Sequence, residues 1–325
     1  MKKIIITVCI IAAAAAGILV YYMNNGLLRA EVRASIDIPR GSGDYEIIRI
    51  LKDNDIIKSE LMFKLNMKLH KNGYFKSGSA ELSSKMSYKK IIDVLINGMD
   101  SSVKITIPEG SELHQIVDLF VNNLGLDEEK LYDEIENGSF DYDFISELPA
   151  GKFRLEGYLF PETYIADKQI TEHEVLDMCL KQFSEVYTDE YRKRARELGF
   201  TTNQIITLAS IIERECSTDR DIVSSVFHNR LKSDKFSYLE SCSTVIYVTK
   251  NPKPRLTAED IKVDSPYNTY INKGLPPGPI GSPGEESIKA ALYPAQTDYY
   301  FFSDMGGGKN TFSKTYEEHL AKNRG

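Results

Sequence analysis

Hydrophobic and polar positions divide the chain into an apolar N-terminal run and a long series of short amphipathic segments. The apolar run covers residues 4–23 and follows Lys2 and Lys3, and at helical rise a run of this length matches a bilayer core. We predict a single-pass membrane helix with a cytoplasmic N-terminus and the chain after Asn24 outside, because basic residues favour the inner side. A cleaved signal peptide is the alternative, since residues 12–16 are small. The length of the run favours an uncleaved anchor.

After this run, strand-like and helix-like periods alternate, which predicts an α+β fold. Residues 36–97 show a strand, a Gly-rich turn and amphipathic helices, and residues 103–124 repeat a strand, turn and helix. These patterns are typical of small αβ units. Residues 126–150 are acidic and rich in turn residues, so we place a hinge near Pro149. We therefore predict three parts, namely an anchor with its cytoplasmic stub at 1–30, αβ modules at 31–150 and a larger domain at 151–325.

The clearest helix in the larger domain covers residues 201–215. Thr201 and Gln204 have the spacing of a capping box, and one face is apolar through Ile205, Leu208, Ala209 and Ile212. The Glu213 side chain projects from the helix at the border of that face. We expect partial burial to raise its pKa and keep it protonated near neutrality, which is the state that a general acid needs. A solvated glutamate at a helix end is the alternative interpretation.

Three other segments have unusual composition. Residues 156–164 crowd aromatic rings and carboxylates together, a combination that suits carbohydrate, although a buried aromatic turn is an equally good interpretation. Residues 239–248 are rich in β-branched residues and predict a strand. Residues 264–287 are rich in proline and glycine yet carry tyrosine, asparagine and threonine, so we expect this loop to line a site.

Composition narrows the class of protein. The chain has 325 residues, 42% hydrophobic and 27% charged, as an ordinary globular protein has. Its net charge of −7 disfavours a nucleic-acid partner. Four cysteines are too few for a disulfide scaffold, and whether Cys216 and Cys242 pair is left open. The five histidines are scattered without a zinc-binding spacing, so the sequence predicts no zinc site.

Six motifs follow one another along the chain: EGYLFPETY, LASIIERE, LESCSTVIY, SPYNTY, GLPPGPI with SPG, and TFSKTYEEH. Their order, from about residue 36 to residue 319, resembles the endolytic murein transglycosylases of the MltG (YceG-like) family. The resemblance implies a single-pass inner-membrane protein with a LysM-like αβ module and a mixed α/β catalytic domain outside the membrane. It implies a lyase without metal or cofactor that cuts MurNAc–GlcNAc bonds of peptidoglycan non-hydrolytically, leaving 1,6-anhydroMurNAc ends.

The resemblance also assigns roles. It implies that cleavage terminates nascent glycan strands in association with the wall-synthesis machinery, including penicillin-binding proteins. The catalytic glutamate of the family falls on Glu213, and one carboxylate can act first as acid and then as base, unlike the carboxylate pair of most glycoside hydrolases. The resemblance implies that the substrate-binding residues are Glu156, Tyr158, Glu162, Glu240, Ser241, Thr244, Tyr247, Tyr267, Asn268, Thr269 and Tyr270.

The chain departs from the family pattern at three positions. Glu240 stands where the family has glutamine, and Cys242 and Ser243 replace an Asp-Pro pair. We hypothesise that Glu240 orients substrate and, when charged, raises the pKa of Glu213. Two other functions stay open: a non-catalytic, peptidoglycan-binding scaffold of the wall-synthesis machinery, and a hydrolase that pairs Glu213 with Glu162 or Glu240.

Overall fold

The computed structural model describes Gly17 and residues 31–97, 102–252, 256–304 and 310–322. The predicted anchor at residues 4–23 therefore lies outside the described residues apart from Gly17. Within the described part of the chain, no helix is both long and apolar enough to cross a membrane. The fold is mixed α+β, as predicted, with two-stranded sheets among its helices.

The chain divides into two compact units, and their boundary differs from the predicted one. The first unit runs to Val103 and includes residues 165–170, whereas the second comprises residues 104–164 and 171 onward. Residues 104–150, which we assigned to the N-terminal modules, thus belong to the second unit. The reason is packing, since Phe144 stacks on the ring of Tyr158 and contacts the ring of Phe183 edge-to-face in that unit. Whether the units act as a LysM-like module and a catalytic domain stays a prediction.

The first unit is built on a pair of antiparallel strands. Strand β1 (Arg33–Ile38) pairs with β2 (Gly78–Ser83), with Arg33 opposite Ser83 and Ile38 opposite Gly78. The unit also contains the helices α1 (Asp44–Asp53), α2 (Glu60–His70) and α3 (Tyr88–Asn97). Their apolar faces form one buried cluster around Ile38, Leu51, Phe63 and Ile92. The helices predicted from the 3.6-residue period therefore exist, and they form a core of their own.

The second unit is mostly helical, with short strands at its margins. Strand β5 (Phe301–Asp304) pairs antiparallel with β6 (Asn310–Ser313), whereas β3 (Ser102–Thr106) and β4 (Thr163–Asp167), which pair with each other, each contain residues of both units. Two 3₁₀ turns cover Asp143–Glu147 and Asp260–Lys262. The helices are α4 (Leu113–Leu124), α5 (Glu128–Asn137), α6 (Glu172–Val186), α7 (Asp189–Leu198), α8 (Thr202–Glu215), α9 (Arg220–Leu231), α10 (Cys242–Thr249), α11 (Glu285–Leu292) and α12 (Tyr316–Lys322).

Helix α8 is the central helix of this unit. The predicted capping box is present: Gln204 N–H donates to Thr201 Oγ1 at 3.2 Å, and Thr201 N–H donates to Gln204 Oε1 at 2.9 Å. Every residue from Ile205 to Ile212 is buried, so the helix is covered on all faces rather than on the one predicted. Burial ends at Glu213, where the helix reaches the edge of the core.

The predicted strand at residues 239–248 is wrong, because this segment forms helix α10. A carboxylate from another helix accounts for the difference: Glu215 Oε1 accepts hydrogen bonds from Ser241 Oγ at 2.5 Å and from Ser243 N–H at 3.1 Å. A negative charge that accepts from the first free N–H groups stabilises a helix start. This contact spans 28 residues, so local β propensity gives no sign of it.

Candidate functional site

The Glu213 side chain lies at the end of α8 with both carboxylate oxygens engaged. Arg220 Nη2 donates to Oε1 at 3.0 Å, and the backbone N–H of Gly284 donates to Oε2 at 3.1 Å. The side chain is only 7% exposed. Glu213 therefore lies at the border of the core, as predicted, and is held in a fixed orientation by one cation and one amide.

Two glycine-containing turns make room for Glu213. Gly110 N–H donates to Ser282 O and Ser282 N–H donates to Ser111 O, both at 2.8 Å, so the two turns are bonded together. A Cβ on Gly110 would lie 3.7 Å from Glu213 Cγ, and a Cβ on Gly281 would lie 2.7 Å from the Gly110 carbonyl oxygen. Only glycine at position 281 allows this close approach, which brings the turn before α4 alongside Glu213.

A second ionic cluster surrounds Glu112. It is linked to the surroundings of Glu213 by Arg214, the next residue of α8. Arg214 Nη1 donates to Glu112 Oε1 and to Ile280 O, both at 2.7 Å. Lys250 forms an ion pair with the other Glu112 oxygen and lies 4.0 Å from the centre of the Tyr247 ring. Glu112 is buried, and two cations offset the cost of burying its charge. Consecutive residues of α8, Glu213 and Arg214, are thus anchored to two different ion pairs.

Glu156 is a buried carboxyl that neither Arg214 nor Lys250 contacts directly. Leu113 N–H donates to its Oε1 at 2.9 Å and Tyr247 Oη donates to its Oε2 at 3.0 Å. These bonds favour the ionised form, but burial outweighs them and raises the pKa of Glu156 to about 7. Glu156 is therefore a proton-binding group near neutrality inside the second unit.

Replacement of Glu156 by glutamine is expected to flatten the dependence of stability on pH. Because its pKa in the folded protein lies above that of a free glutamate, the folded state keeps a proton that the unfolded chain releases between about pH 4.5 and 7. The free energy of unfolding should therefore fall as pH rises through this window, by about 3 kcal/mol for a shift of this size. Glu156→Gln should lose that slope.

Denaturant titrations at several pH values across this window measure the slope. Glu197→Gln is the control. Glu197 on α7 is 48% exposed, so this substitution removes a carboxylate from the surface only. The control should keep the wild-type slope. Parallel curves for Glu156→Gln and the wild type would contradict the assignment.

Four of the other predicted site residues are buried polar side chains at α10 and the proline-rich loop, namely Ser241, Thr244, Asn268 and Thr269. Thr244 Oγ1 lies 3.0 Å from Thr269 Oγ1, and Ser241 N–H donates to Thr269 Oγ1 at 3.0 Å. Asn268 Nδ2 donates to the carbonyl oxygens of Ile261 and Val263. These side chains hold α10 and the proline-rich loop together, because their polar atoms are used by other protein groups.

The predicted tyrosines divide into two partly exposed ones, Tyr267 and Tyr270, and two buried ones, Tyr158 and Tyr247. Tyr247 and Tyr267 have ring centres 5.1 Å apart, and Tyr267 is partly exposed. Tyr270 Oη lies 3.1 Å from Cys242 Sγ. Tyr158 has no exposed surface, and its hydroxyl donates to Asn203 at 3.2 Å. Tyr158 therefore packs in the aromatic core beside α6 rather than facing a cleft.

The two carboxylates proposed as partners of Glu213 have other contacts. Glu240, in a left-handed conformation with φ of 53°, accepts a hydrogen bond from Arg230 at 2.7 Å. Glu162 is exposed and accepts from the N–H of Thr163 at 2.7 Å. Glu213 and Glu240 thus bind different arginines, and the effect of Glu240 on Glu213 stays a prediction.

Cys216 and Cys242 are free thiols in the structure. Cys216 Sγ donates to Ile212 O at 3.5 Å, whereas Cys242 is beside Tyr270. Burial raises the pKa of the Cys216 thiol to about 12, so this thiol stays protonated.

Sequence analysis missed two charged residues near Glu213, namely Arg220, which donates to it, and Glu109, which forms an ion pair with Arg220. Arg220 comes from the start of α9, and Glu109 comes from the turn before α4. Arg220 lines a cavity of about 300 Å³ with Lys289 and Tyr293, and Glu109 lines another of about 480 Å³ with Gln115 and Asn122. Arg220 and Glu109 lie far apart in the sequence, so no local pattern predicts that they form an ion pair. The only sequence signal is the turn Pro108–Glu109–Gly110, which predicts a bend and no charged contact.

Comparison with known proteins identifies relatives for almost the whole chain. Residues 36–325 match the model of the YceG-like family. The endolytic murein transglycosylase of Bacillus subtilis is 34% identical over 304 residues, which cover 89% of this chain and 84% of that protein. The motif order that resembles this family is therefore confirmed by similarity along the chain.

Two further matches extend the comparison. The endolytic murein transglycosylase of Streptococcus pneumoniae strain D39 is 29% identical over 315 residues, covering 88% of this chain and 57% of that longer protein. A crystal structure of a yceG-like protein from Listeria monocytogenes matches with a TM-score of 0.59 and 32% identity, covering 90% of this chain and all of that one.

Proposed function

Because the chain belongs to the YceG-like family, we propose that it is a lytic transglycosylase that cuts glycan strands of peptidoglycan at internal positions. The observation that carries the proposal is the match to the Bacillus subtilis enzyme, which covers most of both chains. The product is a 1,6-anhydroMurNAc end, because the C6 hydroxyl of the muramic acid attacks C1 in place of water.

Glu213 is the acid and base of this reaction. In its protonated form it donates a proton to the glycosidic oxygen as the C1–O bond breaks. As a carboxylate it then accepts the proton of the C6 hydroxyl, whose oxygen bonds to C1. The proton count balances without water, so one carboxyl serves both steps. Its position at the edge of the core, with the Gly284 amide fixing one oxygen, supports the role, because proton transfer requires a fixed orientation.

The predicted substrate-binding residues fall into two groups, those that are partly exposed and those that are buried. Partly exposed residues such as Tyr267, Tyr270 and Glu240 are available to sugar hydroxyls and ring faces. Buried residues such as Thr244, Asn268 and Thr269 hold the loop that carries them. Glu156 joins α10 to the start of α4 through Tyr247 and Leu113.

The length distribution of products tests cleavage at internal positions. Purified, uncrosslinked glycan strands are incubated with the full-length protein in detergent and separated by size at early times. Internal cleavage predicts strands of intermediate length first, whereas release of disaccharides alone would mean cutting from an end. Intact strands beside a folded protein would favour the wall-binding scaffold.

We further propose that residues 4–23 anchor the protein in the cell membrane with the catalytic domain outside. The anchor would confine cutting to glycan close to the membrane, which suits termination of nascent strands near the penicillin-binding proteins of the elongation machinery. Proteolysis of intact protoplasts tests the topology. Digestion of the C-terminal part from outside is expected, and its protection would contradict this orientation.

A further inference from the structure

Resting on the proposed function, we propose that Arg220 is a positioning residue shared between Glu213 and Glu109, and that it moves toward Glu109 when Glu213 binds a proton. Glu109 is then the second carboxylate of the site, a role that no motif assigned to it.

One nitrogen of Arg220 serves both carboxylates. Arg220 Nη2 lies 3.0 Å from Glu213 Oε1 and 3.9 Å from Glu109 Oε2. The Glu213 side chain is 7% exposed, whereas that of Glu109 is 53% exposed. The first pair is thus a charge-assisted hydrogen bond at the edge of the core. The second is a longer ion pair that faces solvent and has room to shorten.

Arg220 has little else to hold it. Its Nη1 donates to Ser217 O at 3.3 Å, a neighbour in the same turn. Its Nε is buried and has no hydrogen-bond partner among the described residues. A guanidinium has five N–H groups to donate, so this one is incompletely bonded. A small rotation that exchanges one carboxylate for the other therefore breaks no strong contact elsewhere.

The two steps of the reaction need different partners for Glu213. As a base, Glu213 is a carboxylate, and Arg220 and the Gly284 amide stabilise its charge. As an acid it must carry a proton, which removes the attraction for Arg220. Glu109 is then the nearest remaining charge partner for the guanidinium, and it keeps the arginine within reach for the second step. No group other than the substrate and these side chains takes part.

Charged and titratable groups from every neighbouring segment surround Arg220 and its two partners. Burial and the nearby Glu213 charge raise the pKa of Glu109, whereas Arg220 lowers it. The other groups around them are Arg214, Glu215 and Cys216 at the end of α8, Asp219 and Asp221 at the start of α9, and Glu286 and Lys289 on α11. Among these, only Arg220 contacts both Glu213 and Glu109 in ion pairs of the described residues.

Two substitutions should shift the pH profile in opposite directions. Arg220→Gln removes the cation that pairs with the Glu213 carboxylate, so the alkaline limb of kcat should move to higher pH. Glu109→Gln leaves Arg220 with Glu213 alone, so the same limb should move to lower pH. Arg220→Lys keeps the positive charge but not the planar guanidinium, and should restore the limb toward the wild-type position.

The experiment measures kcat against pH for the wild type and these variants, together with the carboxyl carbon titration of ¹³C-labelled glutamate by NMR. The Glu213 signal is assigned by its loss in Glu213→Gln. Opposite shifts of its titration midpoint in Arg220→Gln and Glu109→Gln would support the proposal even if the wild type cut no glycan. Midpoints that stay unchanged, or move in the same direction, would overturn it. A wild type without activity would separately contradict the proposed function.

Discussion

Glu213→Gln is expected to reduce the rate of glycan cleavage by about a thousandfold or more while the protein stays folded. Glutamine cannot donate or accept the proton, and general acid–base catalysis of one step contributes factors of about 10² to 10⁴. The amide keeps the shape of the side chain and an oxygen that accepts from Gly284 N–H. Most of the loss should therefore appear in kcat.

The initial rate of strand shortening, measured beside a thermal melt followed by circular dichroism, checks this result. Glu197→Gln on α7 is the control, because it removes an exposed carboxylate that pairs with Arg194. It should cut at the wild-type rate. A Glu213→Gln variant that retains a tenth of the activity would move the acid role to another residue.

Gly157→Ala is expected to have the largest effect on stability, lowering the free energy of unfolding of the second unit by about 3 kcal/mol or more. Gly157 has φ of +85°, and a Cβ there would lie 2.5 Å from Pro279 Cβ. The substitution adds backbone strain to a clash with a rigid ring on the proline-rich loop. Since that loop also carries Gly281 and Gly284, the clash should disturb the surroundings of Glu213.

Gly199→Ala separates these two causes. Gly199 ends α7 with φ of +79°, and a Cβ there meets nothing within 4 Å. Gly199→Ala should lower the free energy of unfolding by only about 1 kcal/mol, which is the cost of holding alanine in a left-handed conformation. Denaturant midpoints of the two variants measure the difference. Equal losses would mean that the contact of Gly157 with Pro279 does not matter.

Local patterns were sufficient to predict the helices that bury one apolar face. Helix α3 (Tyr88–Asn97) is one of the amphipathic helices predicted within residues 36–97, and the predicted capping box of α8 is present. Strand β2 was missed, because GSAELS lacks β-branched residues and is set by pairing with β1. Helix α10 was missed for the same kind of reason, since Glu215 at its start comes from α8.

The candidate site was predictable only where one motif carries it. Glu213 was named as a candidate because its helix has a clear period, and Glu156 because it opens a dense aromatic motif, and the roles of both stay predictions. Glu109 and Arg220 were not found, since they come from different elements and only the fold brings Arg220 between Glu213 and Glu109. Tyr158 was predicted to line a cleft but is buried, because an aromatic-rich motif does not reveal which rings face the core.

The most direct test of the proposed reaction is cleavage of glycan strands in water enriched in ¹⁸O, followed by mass spectrometry of the new ends. The full-length protein is used in detergent, beside Glu213→Gln. Attack by the C6 hydroxyl predicts anhydro ends that carry no ¹⁸O and that are absent from the variant. New reducing ends that carry one ¹⁸O atom would mean that water attacks C1, and would contradict the transglycosylase mechanism.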